Sequence, residues 1–295
     1  MYENILNGFS SYILLEKNLS KNTKLSYVRD VKKFLEYCDK NNISFVSIKP
    51  LELENYLFSL KNKGYKINSL FRKTESIRAF YKYLLIDGKI TENPLSSFKP
   101  PRPDKKLPEF LSINDIEKLL SVFKGDRFNG IRSFAIMDLL YSSGMRVSEV
   151  CDLVMESVNL TQLWIRVIGK GSKERIVPIN ENTAGILKIY ISERNLHFVN
   201  KEADSYLFLN KSGKKLSRVQ IWKDIKKLAK EAGIKKNVYP HLFRHTFATH
   251  LLNGGADLKS ISEMLGHSSL TTTQIYTHLD NRVIKSMHKK YHPKG

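Results

Sequence analysis

Hydrophobic residues recur every three or four positions through the first third of the chain. One run covers residues 25–38, a second covers residues 53–60, and a third, residues 77–85, stops before Gly88. This spacing places the apolar side chains on one face of a helix, and glycine is a common residue just after a helix end. Together with the N-terminal segment, the pattern predicts about four helices packed into one domain, residues 1–98.

After residue 108 the pattern remains mainly helical. The sequence "SIND" begins with Ser112 and is typical of a helix N-terminus, because Ser and Asp three residues apart can cap each other's backbone N–H groups. The helix "IRSFAIMDLLYSS" should then break at Gly144, and "MRVSEVCDL" resumes a helix.

Two segments of this second part predict strands. The sequence "LWIRVIGKGSKERIVPI" alternates β-branched residues around a glycine-rich turn, which is typical of a β-hairpin. The segment "YLFLNKSGK" predicts one short strand. The predicted fold class is therefore mainly α: a helical N-terminal domain and an α-rich second domain, residues 109–295, with a small antiparallel β-sheet.

A proline-rich stretch separates the two parts. Five of the nine prolines lie in residues 94–108. Proline removes backbone donors and disfavours helix, so residues 99–108 predict an extended, fairly stiff linker. Two interpretations of its basic side chains stay open, a path along a phosphate backbone and a plain solvated spacer. These side chains are Lys99, Arg102, Lys105 and Lys106.

The net charge indicates a polyanionic partner. Lys and Arg number 49 against 29 Asp and Glu, which leaves +20 at pH 7. Residues 1–104 hold 18 basic and 11 acidic side chains, and the remainder holds 31 and 18. Because both parts carry excess positive charge, a nucleic acid that touches both is favoured over the alternative, a merely solvated basic surface.

Composition also indicates the compartment. No apolar run approaches the roughly 18 residues that a membrane span needs, and the N-terminus lacks a signal-peptide pattern. The two cysteines, Cys38 and Cys151, each lie in an apolar helical pattern. We therefore expect a cytoplasmic protein with buried free thiols.

Three nearby histidines could suggest a metal site. In "HLFRHTFATH", His241 and His245 have helical spacing, but the metalloprotease pattern needs a Glu directly after the first His, and an apolar residue stands there. His250 falls on the opposite helix face. We therefore expect no metal, and we interpret His245 and His250 as structural.

His241 and Arg244, in contrast, share a helix face one turn apart. Pro240 just before them suits a helix start, where unpaired N–H groups and the helix dipole favour an anion. Taken alone, the pair is equally consistent with a capping histidine and a surface salt-bridge arginine.

Three further fragments place chemically active side chains at turns and helix ends. "GMRVSEV" puts Arg146 just past a helix break, with Glu149 one turn on; "GKGSKER" puts Lys170 at a hairpin tip; "LGHSSLTTTQIYTHL" contains His267 and Tyr276. With the His-x-x-Arg pair, this set suits metal-free phosphoryl transfer. Arginines hold the phosphate oxygens, a lysine protonates the leaving oxygen, a histidine moves a proton, and the tyrosine attacks.

The four motifs "GMRVSE", "GKGSKERIVP", "HLFRHTFATHLL" and "LGHSSLTTTQIYTHL" occur in the order and spacing of one family. The chain resembles the tyrosine recombinase (phage integrase) family, and within it the Xer subfamily, over essentially its whole length. The resemblance implies a SAM-like four-helix DNA-binding domain and a tyrosine recombinase catalytic domain. It also implies Tyr276 as the nucleophile that forms a 3′-phosphotyrosyl intermediate, with Glu149 in a supporting role. The implied catalytic residues are Arg146, Lys170, His241, Arg244, His267 and Tyr276.

The resemblance further implies a function and partners. These are site-specific recombination of double-stranded DNA at a palindromic site through a Holliday junction, without metal or ATP, and chromosome dimer resolution at cell division. A homotetramer or a heterotetramer with a related XerC-like recombinase would do this, with an FtsK-like septal DNA translocase as a further partner. The alternatives are type IB topoisomerase-like relaxation, a catalytically inactive DNA-binding relative, and a helical interaction module.

The resemblance also suggests DNA contacts and an exchange helix. After Tyr276, the residues Val283, Ile284 and Met287 have helical spacing. Such a helix would dock in a neighbouring protomer, and the alternative is that it folds back on its own domain. The DNA-binding candidates are Lys21, Lys24, Arg72, Arg78, Lys173 and Arg175.

Overall fold

The chain forms two compact units, Met1–Leu107 and Pro108–Gly295. The computed structural model describes residues 2–15, 21–100, 109–122, 128–169, 174–199, 204–266 and 281–294. Most of the predicted linker, residues 101–108, lies outside them.

The first unit is helical, as the sequence predicts. Its core is lined by side chains with no solvent exposure, among them Phe34 on the second helix and Phe80 on the fourth. The fourth helix ends in a turn at Gly88, which has a φ of 67°, and the N–H group of Lys89 donates to the carbonyl of Leu84 at 2.9 Å. The predicted stop at Gly88 is therefore confirmed. The helices are α1 (Glu3–Leu15), α2 (Lys21–Lys40), α3 (Pro50–Asn62) and α4 (Ile67–Ile86).

The second unit is mainly helical around one small sheet. Its long helix α6 is buried along most of its length and packs against α8 and α10. The helices are α5 (Ile113–Ser121), α6 (Phe128–Ser143), α7 (Val147–Asp152), α8 (Glu181–His197), α9 (Arg218–Glu231), α10 (Pro240–Asn253), α11 (Leu258–Leu265) and α12 (Asn281–Tyr291). The sheet is antiparallel in the order β1 (Val158–Asn159), β2 (Trp164–Ile168) and β3 (Glu174–Pro178). The predicted fold class and hairpin are confirmed.

Local capping residues set the ends of several of these helices. The hydroxyl of Ser112 accepts from the N–H of Asp115 at 3.1 Å, which starts α5 as predicted. Gly144 has a φ of 61° and separates α6 from α7. A Cβ there would lie 2.5 Å from the ring of Phe247, so both the backbone conformation and the packing require glycine.

The segment "YLFLNKSGK" differs from the expectation of one short strand. It makes two separate one-residue bridges, Val154 with Tyr206 and Leu209 with Lys215. Its chain turns at Gly213, which has a φ of 74°, and so it pairs partly with itself. Its apolar run, Tyr206 to Leu209, is typical of a strand. Each pairing is a single bridge, so no continuous ladder forms.

Helix α12 packs on its own unit in this single chain. Met287 lies against the cluster around Phe247, and a ring nitrogen of His288 is 2.6 Å from the carbonyl oxygen of Ser142. The predicted helix is confirmed, and its position corresponds to the alternative of folding back. The side chains of residues 283 and 284 lie outside the described part. No described helix has the length and apolar character of a membrane span.

Candidate active site

Arg244 connects the ends of three helices. It follows Pro240, the first residue of α10, by one turn and is only 8% exposed. Its guanidinium donates to the carbonyl of Gly144 at 2.8 Å and to that of Leu265 at 2.5 Å. Carbonyls at helix C-termini lack partners within the helix and carry partial negative charge. They therefore hold this arginine at the junction of α6, α10 and α11.

Arg146 lies at the N-terminus of α7, in the turn that Gly144 opens. Its backbone N–H donates to Oε2 of Glu149 at 2.8 Å, and its Nη1 donates to Oε1 at 3.0 Å. Its Nη2 donates to the carbonyl of Gly266 at 3.2 Å. About a third of the side chain remains exposed, at 34%. Arg146 is thus oriented by α7 and α11 while its guanidinium still reaches solvent.

Glu149 is the acid between the arginines of the site. The side chain is 6% exposed. Burial acts to raise the pKa of this carboxyl, but hydrogen bonds from Arg175 and from the backbone N–H of Arg146 outweigh it and lower the pKa below its usual value. Glu149 is therefore ionised at neutral pH and offsets one positive charge.

Arg175 reaches the site from β3. Its Nη1 and Nη2 donate to the two oxygens of Glu149 at 2.9 and 2.8 Å. The sequence suggested this arginine as a DNA-backbone contact, but both of its terminal nitrogens are bonded to Glu149 here. The sequence did not signal this pair, because the two residues are 26 positions apart.

The site carries an excess of positive charge. Burial, and then the positive charge of Arg146, lower the pKa of Arg244 to about 10. Arg244 is still a cation at neutral pH, so three guanidinium groups face one carboxylate. Such a cluster favours an anion, and the paired N–H groups of guanidinium match the oxygens of a phosphodiester.

His241 lies on the second position of α10 and is exposed to solvent. It is one turn before Arg244, on the same helix face. An exposed histidine beside an anion site is available for proton transfer.

Four of the sequence-predicted site residues lie outside the described part of the chain: Lys170, Lys173, His267 and Tyr276. Their neighbours in sequence do reach the site. Arg175, two residues after Lys173, contacts Glu149, and the carbonyl of Gly266, the residue before His267, accepts from Arg146.

His250 is a core residue. It is 6% exposed, and its Nδ1 lies 3.0 Å from the hydroxyl of Tyr141. Burial lowers its pKa. His245 is half-buried. Within the described ranges, no group of three or more His, Cys, Asp or Glu side chains is arranged to hold a metal ion.

The DNA-binding candidates of the first unit lie on α2 and α4. Arg72 pairs with Asp30, a 1% exposed carboxylate on α2, and keeps 39% of its side chain exposed. Lys73, which the sequence did not single out, is 2.8 Å from the same carboxylate. Arg78 is 3.2 Å from Glu75. Of the two remaining candidates, Lys24 is half-buried, and the side chain of Lys21 lies outside the described part.

Comparison with known proteins indicates one family over the whole chain. The profile of the phage integrase family matches residues 109–282, and that of the phage integrase N-terminal SAM-like domain matches residues 6–88. The tyrosine recombinase XerD of Staphylococcus aureus strain Mu50 is 40% identical over 99% of this chain and 100% of its own length. The XerD of Staphylococcus saprophyticus has the same identity and coverage.

Solved structures have the same fold. The crystal structure of XerA recombinase is 30% identical, with a TM-score of 0.51, and the match covers 99% of this chain and 100% of that one. The XerH site-specific recombinase, bound to palindromic difH substrate in a post-cleavage complex, is 22% identical with a TM-score of 0.71 and coverages of 96% and 95%. The resemblance drawn from the motifs is confirmed, and the chain belongs to the phage integrase family of tyrosine recombinases.

Proposed function

We propose that the protein is a site-specific tyrosine recombinase that cuts and rejoins double-stranded DNA and resolves chromosome dimers at cell division. The observation that carries the proposal is the convergence of Arg146 and Arg244 around the ends of α6, α7 and α11, with Glu149 between Arg146 and Arg175. The 40% identity to XerD over the full chain supports it.

In the proposed reaction the two arginines bind the non-bridging oxygens of the scissile phosphate and offset the charge that develops in the transition state. The phenolic oxygen of Tyr276 attacks phosphorus, which forms a 3′-phosphotyrosyl bond and breaks the bond to the 5′ oxygen. The tyrosine proton passes to a histidine, His241 or His267, and Lys170 protonates the leaving 5′ oxygen.

The reverse step uses the 5′-hydroxyl of a partner strand. That hydroxyl attacks the phosphotyrosine, a new phosphodiester forms, and Tyr276 regains its proton. One phosphoester is exchanged for another in each step, so the reaction needs no ATP. The arginines and the lysine supply the positive charge that a metal ion supplies in other phosphoryl-transfer sites.

The proposed substrate and assembly follow from this chemistry. The DNA carries a palindromic site, as in the XerH complex, and Lys21, Lys24, Arg72, Arg78 and Lys173 are proposed contacts to it. Four protomers, identical or paired with an XerC-like relative, join two duplexes through a Holliday junction, and an FtsK-like translocase is a further partner. The proposed domains are residues 1–98, a linker 99–108, and a catalytic domain 109–295.

The cytoplasm is the proposed place of action. The proposed substrate is chromosomal DNA, and both cysteines, Cys38 and Cys151, are buried free thiols. Thiols of this kind are typical of a reducing compartment.

The test is covalent capture on a suicide duplex in buffer with EDTA. The wild-type protein should form an adduct that survives denaturing electrophoresis. Tyr276→Phe should bind the same DNA and form none, because only the attacking oxygen is lost. Tyr206→Phe, at a half-buried tyrosine of the same unit, is the matched control and should form the adduct. An adduct with Tyr276→Phe would assign the nucleophile elsewhere, and a wild-type adduct that requires added Mg²⁺ would contradict the metal-free chemistry.

A further inference from the structure

Arg175 and Glu149 form a two-pronged ion pair between β3 and α7. The two bonds are 2.9 and 2.8 Å long and join each terminal nitrogen to a different carboxylate oxygen. The side chains are 16% and 6% exposed. A pair so far out of water is not screened like a surface salt bridge, and loss of one partner leaves the other charge poorly compensated.

The same carboxylate also holds Arg146. Oε1 of Glu149 accepts from Nη1 of Arg146 at 3.0 Å, and Oε2 accepts from the backbone N–H of Arg146 at 2.8 Å. A carboxylate has roughly four acceptor positions, so the two arginines together occupy all of them. These four hydrogen bonds hold the carboxylate between the two arginines, so Arg146 and Arg175 share Glu149 as a common partner.

Arg175 also packs against the turn that ends α11. A Cβ on Gly266 would lie 3.2 Å from Cδ and Nε of Arg175. The carbonyl of this same Gly266 accepts from Nη2 of Arg146 at 3.2 Å. The arginine on β3 therefore touches both groups that orient Arg146, the Glu149 carboxylate and the Gly266 turn.

The backbone of Arg175 is itself fixed by the sheet. Arg175 pairs with Val167 in the β2–β3 register and is the second residue of β3, after Glu174. In the sequence, Lys170 lies five residues before Arg175. The strand thus fixes the backbone from which the side chain of Arg175 reaches Glu149.

We propose that Arg175 is a positioning residue for DNA cleavage: it fixes the Glu149 carboxylate, which in turn holds Arg146 against the scissile phosphate. This inference rests on the proposed recombinase function. It assigns Arg175 a role through Arg146 in place of a direct contact with the DNA backbone.

The first experiment measures single-turnover cleavage of a suicide duplex at saturating protein. Arg175→Lys keeps the positive charge but loses the paired hydrogen bonds to Glu149, and Arg175→Ala loses both the charge and the hydrogen bonds. Cleavage should slow by about 10- to 100-fold, the range for a catalytic group displaced by about 1 Å, whereas the Kd for the duplex should change little. Arg166→Ala, at an exposed arginine of the adjacent strand β2, is the matched control and should cleave at the wild-type rate.

A double-mutant cycle separates positioning from a merely structural role. If Arg175 acts through Arg146, the double variant Arg146→Ala/Arg175→Lys should cleave no more slowly than Arg146→Ala alone. A methylphosphonate at the scissile position removes the negative charge that Arg146 offsets, so on that substrate Arg175→Lys should lose much less rate. A general loss of structure would slow both substrates equally and would lower the melting temperature.

The outcomes distinguish this inference from the proposed function. Wild-type-like cleavage by Arg175→Lys, or losses that add to those of Arg146→Ala, would overturn the positioning role alone. Absence of any covalent adduct with the wild-type protein would overturn the proposed function and this inference with it.

Discussion

One carboxylate among three guanidinium groups sets the charge of the site. Glu149 is ionised because hydrogen bonds outweigh its burial, and Arg244 remains a cation although burial and Arg146 lower its pKa to about 10. The acid offsets one of the three positive charges and fixes where Arg146 and Arg175 lie. The carbonyls of Gly144 and Leu265 fix Arg244.

Lys170→Ala should slow cleavage, because it removes the side chain proposed to protonate the leaving 5′ oxygen. A substrate with a bridging 5′-thiolate, whose leaving group needs little protonation, should recover much of the rate. Arg146→Ala is the matched control, because charge stabilisation at phosphorus is still required with the thiolate. Single-turnover rates measure the rescue. If the thiolate substrate restored cleavage by Arg146→Ala but not by Lys170→Ala, another group would have to protonate the leaving oxygen.

Residues with local signatures could be predicted, whereas long-range pairs could not. Arg146 and Arg244 follow a helix break and a helix start, and both features are visible within a few positions of sequence. The contact of Arg175 with Glu149 depends on how the hairpin folds over α7. The hydrogen bond between His250 and Tyr141 joins positions 109 apart, which no local pattern encodes.

Helix ends and strands also differ in whether neighbouring residues or distant ones determine them. The capping box at Ser112 and the left-handed glycines at Gly88 and Gly144 fix helix ends through neighbouring residues, so the helix ends could be predicted. The bridges at Tyr206 and Leu209 depend on partners that the tertiary fold supplies. The short apolar run alone therefore indicated a strand where only single bridges form.

The packing of α12 should depend on pH. His288 and His292 stack with ring centroids 4.8 Å apart and are 3% and 5% exposed. Burial lowers the pKa of His288; burial and the charge of His288 lower that of His292 to about 3. The facing groups are Tyr141 and His250 on α6 and α10, with the cation of Lys294 nearby.

Below about pH 6.5 these two histidines bind protons in the unfolded chain but stay neutral in the folded protein, because burial lowers their pKa. The free energy of unfolding should therefore fall as the pH drops from about 6.5 towards 3, by at most about 1.4 kcal/mol for each pH unit and each histidine. Melting temperatures at pH 7.5 and 5.5 measure this. His292→Phe keeps an aromatic ring without the titration and should show a smaller difference, and an unchanged difference would contradict the assignment.

At the scale of the whole molecule, the segment after α12 is joined to the second unit by a buried charge. Asp138 is fully buried and accepts a hydrogen bond from the hydroxyl of Thr183 at 2.6 Å. It also forms an ion pair with Nζ of Lys294 at 2.7 Å. The carbonyl of Lys294 also accepts from Nδ2 of Asn180 at 2.6 Å. The tail thus neutralises an acid that lies within the core of the unit.

Deletion of residues 282–295 should leave binding to a single DNA site nearly intact while it abolishes cooperative synapsis and strand exchange. Gel shifts on one-site and two-site DNA measure the difference. Because α12 covers Phe247, melting curves must show that the shortened protein is folded. Lys289→Ala, at an exposed position of α12, is the control and should recombine normally. Normal recombination by the shortened protein would show that the tail does not link protomers.

The contact between Lys294 and Asp138 has a consequence for exchange between copies. A second copy carries the same His288 and Lys294, so its tail could reproduce the contacts that the first tail makes with its own unit. The two arrangements then have nearly the same contact energy, and effective concentration decides between them. A chain alone in solution keeps its own tail. For chains held side by side on one DNA molecule, the local concentration of a second tail is much higher, so we expect tails to exchange between neighbouring copies while each Asp138 keeps a Lys294 partner.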